Sequence, residues 1–196
     1  MPAFLIHQPA CVFIHNPKTG GQALRHVLLA LDHEGPVTGA LPTDWKQHYA
    51  FAFVRNPYDR LVSAWKMFTQ GIADTGWKVP KDLKAGIELG EFLEIVMDET
   101  IGYGNQDRSG KRRVRNHTLP QSHDYYALSE ANFLGRFENY ESDTQKIFQH
   151  IGLAEPPPEP RHVTQRGPYQ QYFDERTRKR ATEYYAVDLE RFQYQF

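Results

Sequence analysis

"FAFVRNPYDRLVSAW", Phe51 to Trp65, joins two periodicities at a single arginine. Ahead of Arg55 the run from Ala50 to Val54 is wholly apolar, the pattern of a short strand buried on both faces. Beyond Arg55, Asn56 suits a helix N-cap and Pro57 the first helical position, where a missing N–H costs nothing. Leu61, Ala64, Trp65 and Phe68 then recur at i, i+3, i+4 and i+7, which predicts a helix with one apolar stripe.

The same sentence is written earlier in the chain. Cys11 to His15 reads as a short buried strand, Asn16 to Gln22 as a loop, and Leu24, Val27, Leu28 and Leu31 as a helix face. Two strand–loop–helix units predict an α/β domain on a parallel sheet. Phe133 to Phe137 is expected to add a third core strand, Thr144 to Ile151 an amphipathic helix, and Asp174 to Tyr185 a closing helix. Phe92 to Val96 reads as part of a short helix. Between these, Gly71 to Gly90 reads as a surface excursion and Gly102 to Asn116 as a polar, basic, mobile loop. "EPPPEP", Glu155 to Pro160, reads as a stiff extended connector.

Bulk properties set the bounds. At 196 residues, residues 1–196 are expected to form a single domain with a real core. A formal net charge of -1 gives no global basic field, which argues against a nucleic-acid partner and makes any anion site a local one. Cys11 is the only cysteine, so an intrachain disulfide and Cys-rich zinc patterns are excluded. No metal cluster stands out. With no long apolar span and no basic, apolar leader, no membrane segment is expected and the expected compartment is the cytoplasm.

In an open α/β sheet ligands sit beyond the carboxyl ends of the strands, and both loops that follow the predicted strands carry cations. The first offers Lys18, with Gly20 and Gly21 allowing close backbone approach and a helix N-terminus adding partial positive charge. The second offers Arg55, whose planar fork suits a phosphate, and Ser63 two turns into the helix. Taken singly, each reads better as a bland feature, the first as a strand-to-helix turn with a solvated lysine and the second as a surface arginine with a helix-facing serine. Two basic anion loops in consecutive strand–loop–helix units weigh against that reading. The order Pro-Lys-Thr-Gly-Gly is not that of a Walker A loop, in which the glycines come before Lys-Ser/Thr.

These residues carry a resemblance. "FIHNPKTGG" resembles the 5′-phosphosulfate loop of sulfotransferases that use 3′-phosphoadenosine 5′-phosphosulfate (PAPS), and "FAFVRNPYDRLVSAW" resembles their 3′-phosphate motif. The match is best to the carbohydrate O-sulfotransferase branch, which includes the uronyl 2-O-sulfotransferases and bacterial relatives. It continues through "HTLPQSHDYY", "FLGRFENYESDTQKIFQHIGL" and "TEYYAVDLERFQY". The resemblance implies a P-loop NTPase-like, three-layer fold with a central parallel sheet flanked by helices. It implies that Pro17, Lys18, Thr19, Gly20, Gly21 and Gln22 hold the 5′-phosphosulfate and that Arg55 and Ser63 hold the 3′-phosphate, with Arg166 near the nucleotide. Gln22 departs from the Thr or Ser common at its position. The implied reaction is in-line transfer of a sulfuryl group to an acceptor hydroxyl, leaving 3′-phosphoadenosine 5′-phosphate, without a metal.

Such a reaction needs a cation on the breaking bond and a base for the acceptor proton. Lys18 suits the first task. Histidine suits the second, because its pKa lies near the working pH. In related sequences a catalytic histidine precedes the 3′-phosphate strand by about two dozen residues, and in "HEGPVTGALPTDWKQHYAFAFVRNP" that match falls on His33. His117, before "LPQ" in a region resembling the acceptor side, is the other candidate. Arg108, Lys111, Arg112, Arg113 and Arg115 crowd one stretch. They read either as a solvated loop or as a clamp, with His117, for an anionic carbohydrate acceptor on which Tyr125 and Tyr126 stack. The rival functions are a non-catalytic nucleotide- or anion-binding module of the same fold, and a P-loop kinase. The kinase would need a Lys-Ser/Thr ending to its loop and an acid for magnesium.

Overall fold

The computed structural model describes residues 2–71, 77–104, 109–159 and 166–196. Along the chain run β1 (Pro2–Ile6), β2 (Cys11–Ile14), α1 (Gly21–Leu28), β3 (His33–Thr38), β4 (Tyr49–Val54), α2 (Pro57–Gln70), α3 (Leu89–Met97), α4 (Gly110–Thr118), β5 (Phe133–Arg136), α5 (Tyr140–Ile151), α6 (Glu175–Tyr184) and α7 (Ala186–Phe192). The chain divides into two compact units, each built from two segments. One comprises Met1–Arg55 and Gln121–Arg161, the other Asn56–Pro120 and His162–Phe196.

The first unit holds a five-stranded sheet in the order β3-β1-β2-β4-β5. β2, β4 and β5 run parallel, with Phe13 opposite Phe51 and Val54 opposite Arg136. β1 is antiparallel to both β2 and β3, so the sheet is mixed where the sequence predicted a parallel one. The cause is chain length. Only the four residues His7–Ala10 separate β1 from β2, enough for a hairpin, whereas parallel neighbours need a long crossover such as the one through α1 and β3. β3 lies on the sheet edge with most of its side chains exposed, where Pro36 costs no ladder bond.

One face of this sheet is covered by α1 and α5. Phe4, Ile6, Cys11, Phe13, Phe51 and Phe53 pack with Ala23, Leu24 and Leu28 of α1 and with Tyr140, Ile147 and Phe148 of α5. Burial pushes the Cys11 thiol up to about 12, which leaves it a neutral core atom. Gly135 of β5 marks a close approach: a Cβ there would lie 2.6 Å from the Phe53 ring.

The second unit is helical. Tyr58, Leu61, Val62, Trp65 and Phe68 of α2 pack with Phe92, Leu93 and Val96 of α3, Val114 of α4, and Ala181 and Tyr185 near the C-terminus. The Asn56 side chain caps α2 by accepting from the Tyr58 amide, as the sequence predicts. The helix is buried well beyond one stripe, Arg60, Ser63 and Thr69 included. The basic stretch is a helix over Gly110–Thr118 rather than a loop. Ser109 caps it, and the Asp82 carboxylate accepts from the Gly110 and Lys111 amides, so the first turn has its acceptors.

Substituting Gly135→Ala forces the buried Phe53 ring off its position. It is expected to lower the unfolding free energy by about 1–3 kcal/mol, seen as an earlier urea midpoint with an unchanged slope.

Candidate active site

The ends of β2 and β4 are tied by side chains. The β2–β4 ladder reaches Phe13 and Phe51. Past it, the Asn16 side-chain nitrogen donates to the Phe53 carbonyl at 2.9 Å and to Gln121 Oε1 at 3.0 Å. Gln121 Oε1 also accepts from the Arg55 amide at 3.0 Å, and Gln121 Nε2 donates to the Arg55 carbonyl at 2.8 Å. One carboxamide therefore holds both main-chain groups of Arg55. The Arg55 guanidinium donates from Nη1 to the Lys18 carbonyl at 2.9 Å and lies 4.0 Å over the Phe137 ring. The two cationic loops predicted from the sequence are thus in contact.

The first loop is shaped from the protein side. Lys18 has φ 68°, a left-handed conformation that is uncommon for a residue with a Cβ. Thr19 is buried and its hydroxyl donates to the Asn16 carbonyl at 2.9 Å, so that proton braces the loop. Gly20 has φ 81° and is the N-cap of α1. A Cβ at Gly20 would lie 2.8 Å from the Tyr140 ring, and one at Gly21 would lie 2.5 Å from His15 Cδ2. Both glycines therefore make room for protein side chains, where the sequence reading gave them to a ligand. The Tyr140 hydroxyl is pushed up to about 12, mainly by burial, and donates to the Gly20 carbonyl at 3.4 Å. α1 begins with no side-chain cap and no acidic residue in its first turn, so nothing there opposes an anion. Gln22, in that first turn, is exposed, and Pro17 is buried.

His33 is not brought to this loop. It pairs with Ile6, and Ile6 pairs with Cys11, so His33 stands level with the start of β2. The Lys18 loop leaves the other end, past Ile14, roughly 10 Å away along the strand and about 10 Å across two strand spacings. His33 is exposed, with Nδ1 2.9 Å from the Leu31 carbonyl and its ring edge-on to Phe4. The sequence spacing that selected His33 counts residues, and the hairpin with β1 turns that count toward the wrong end of the sheet.

In the helical unit, Ser63 is buried in α2. Arg166 forms an ion pair with Asp59 in the first turn of α2. Arg115 is buried. It donates to the Ile101 and Val96 carbonyls and lies 3.2 Å from the Tyr184 hydroxyl. Burial raises the Tyr184 pKa, and Arg115 acts against that rise. Arg112 donates to the Tyr103 carbonyl, and Arg113 lies 4.0 Å over the Trp77 ring. Lys111 is exposed and Arg108 lies outside the described residues. The cations that the sequence grouped as a clamp thus each have a partner within their own unit at positions 112, 113 and 115. His117 Nδ1 is 2.7 Å from the Arg113 carbonyl, and its ring stands edge-on to Phe68. Since a carbonyl only accepts, Nδ1 carries the proton in the neutral ring and Nε2 is the basic nitrogen. In the sheet unit, Tyr126 is core, while Tyr125 is half-buried with its pKa raised by that burial.

Nothing in the sequence marks Gln121, Phe137, Tyr140 or His15 as neighbours of the loop. A buried amide leaves no periodic signal, and Gln121 announced itself only as the last letter of "HTLPQ". Among the described residues no group of His, Cys, Asp and Glu is arranged to hold a metal ion, and no helix is long and apolar enough to cross a membrane.

A family model described as the sulfotransferase family matches residues 12–195, and the chain belongs to that family. Membership places it among enzymes that transfer a sulfuryl group. No curated protein and no solved structure matches the chain.

Replacing Arg115→Met leaves the buried Val96 carbonyl and the half-buried Ile101 carbonyl without their charged donor. It is expected to lower unfolding stability by roughly 2–4 kcal/mol, measured by urea denaturation followed by circular dichroism.

Proposed function

We propose that the protein transfers the sulfuryl group of PAPS to an acceptor hydroxyl, with a carbohydrate as the acceptor. The observation that carries this reading is the hydrogen bond from Arg55 to the Lys18 carbonyl in a chain of the sulfotransferase family. It joins two cationic loops at the carboxyl ends of adjacent parallel strands, where this class of sheet binds ligands. The donor set fits the co-substrate: a lysine point charge, an arginine fork and an uncapped helix start favour a ligand with several anionic groups. The family match spans residues of both compact units, which favours one functional domain, and the motifs suggest a P-loop-like fold.

In this reading Lys18 offsets charge growing on the bridging oxygen as the sulfur–oxygen bond breaks. Backbone amides from Lys18 to Gln22 face the phosphosulfate, while Thr19, Gly20 and Gly21 act by setting the loop's shape. Motif resemblance assigns Arg55 and Ser63 to the 3′-phosphate. Arg166, held by Asp59, supports the start of α2 rather than the nucleotide. For the acceptor proton we favour His117 over His33. The ground is the place of His33, which stands level with the start of β2, away from the end that carries Lys18. Each ring has its Nδ1 on a carbonyl, so the tautomer does not separate the two. Of the basic stretch, Lys111 is the exposed cation best suited to an anionic acceptor.

Incubation with sulfur-labelled PAPS and a panel of glycans, small alcohols and phenols tests the activity. Label is expected on a glycan, and tight binding of 3′-phosphoadenosine 5′-phosphate with transfer to none of the panel would favour a binding module instead. With the acceptor in hand, Lys18→Ala and His117→Ala are each expected to lower kcat by about a hundredfold or more. His33→Ala should stay within about twofold of the parent. A large loss in His33→Ala with His117→Ala unaffected would reverse the base assignment.

A further inference from the structure

Building on the PAPS reading, we infer that Gln121 is a positioning residue for the donor nucleotide. It acts through Arg55 to hold the two anion loops at one spacing.

Four observations converge on it. Gln121 is fully buried, at 0% exposure, so its carboxamide has no water to fall back on. Its oxygen accepts from both Asn16 Nδ2 and the Arg55 amide, and its nitrogen donates to the Arg55 carbonyl. Asn16 spends its side-chain nitrogen on Gln121 and on the Phe53 carbonyl, so the amide pair crosses from the β2 loop to the β4 end. The guanidinium of the residue so held reaches the carbonyl of Lys18, which has φ 68°.

The order of action follows from the geometry. With both main-chain groups of Arg55 fixed by one rigid planar amide, the direction in which its side chain leaves the strand is set. The Phe137 ring then limits the guanidinium to one plane, 4.0 Å away. From there Nη1 steadies Lys18 in a left-handed conformation that is uncommon for a residue with a Cβ. Gln121 thus sits two links from the nucleotide and touches none of the reacting atoms. A hydrocarbon of similar size could fill its space and would leave the Arg55 amide and carbonyl to find other partners. A glutamate could accept as before, and its second oxygen would face the Arg55 carbonyl with no hydrogen to share.

The test titrates the full chain with 3′-phosphoadenosine 5′-phosphate by calorimetry. Gln121→Met and Gln121→Glu are compared with the parent, each checked for folding by circular dichroism. Both are expected to bind the nucleotide about tenfold to a hundredfold more weakly, and to raise KM for PAPS more than they lower kcat. In an Arg55→Ala background the same changes should alter the dissociation constant by less than about twofold, because the guanidinium they act through is gone. Parent-like affinity in a folded variant overturns the positioning role while leaving the nucleotide reading intact. So does a full additional loss in the Arg55→Ala background. Failure of the parent chain to bind overturns both. Glutamate, being nearly isosteric, keeps the comparison open if the methionine variant does not fold.

Discussion

Parallel strands stop pairing before their loops begin, and something must then hold the strand ends together. Here it is a pair of buried carboxamides. The β2–β4 ladder reaches Phe13, and Asn16 takes over by donating to the Phe53 carbonyl and to Gln121, which grips Arg55. Each such bond adds only about 1 kcal/mol to stability, while a buried group left unpaired costs about 1–3 kcal/mol. The network therefore contributes more to specificity than to stability: it leaves one arrangement of the two loops in which the Phe53 carbonyl, the Gln121 carboxamide and both main-chain groups of Arg55 find partners. The contact between Arg55 and Lys18, and with it the candidate site, depends on that arrangement.

The same logic explains the glycines. A Gly-Gly pair after a lysine invites the reading that a phosphate needs the room. In this chain Tyr140 occupies the space a side chain at 20 would take, and His15 the space at 21. Thr19 turns its hydroxyl inward to Asn16. The loop is packed from behind by Tyr140 of α5, by His15 just past β2 and by its own Thr19 hydroxyl, so its backbone is pre-set before any ligand arrives. A loop held this way spends little binding energy on its own ordering, which is the condition for effective charge stabilisation during transfer.

Arginine shows how far charge patterns can be pushed. The run at 112, 113 and 115 is obvious in the sequence, yet each guanidinium is engaged inside the helical unit, on a carbonyl, a tryptophan face or a tyrosine hydroxyl. Arg60, which attracts no notice in the sequence, is almost wholly buried and donates to the Leu119 carbonyl. Five donors on a long flexible stem let arginine stitch irregular backbone, and that use looks the same in a sequence as binding a substrate.

What the sequence determined by itself was local and periodic. The strands read at 11–15 and 50–54, the cap at Asn56, the helix that starts at Pro57, the helix read over 144–151 and the two cations at the strand ends all follow from short apolar runs, helical spacings and residue type. The structure extends the second strand back to Tyr49 and the later helix back to Tyr140. The sulfotransferase motif was legible for the same reason, being two short stretches with fixed internal order. Tertiary structure alone decided the rest, because it depends on which residues meet across long loops. The hairpin of β1 made the sheet mixed and set His33 at the far end from Lys18. A helix formed where a basic loop was expected, because Asp82, 28 residues from Gly110, supplied its first-turn acceptor. Gln121, 105 residues from Asn16 and 66 from Arg55, became the centre of the loop network. Residue counting cannot anticipate such partners, since burial and hydrogen-bond satisfaction are settled only when the chain has closed around them.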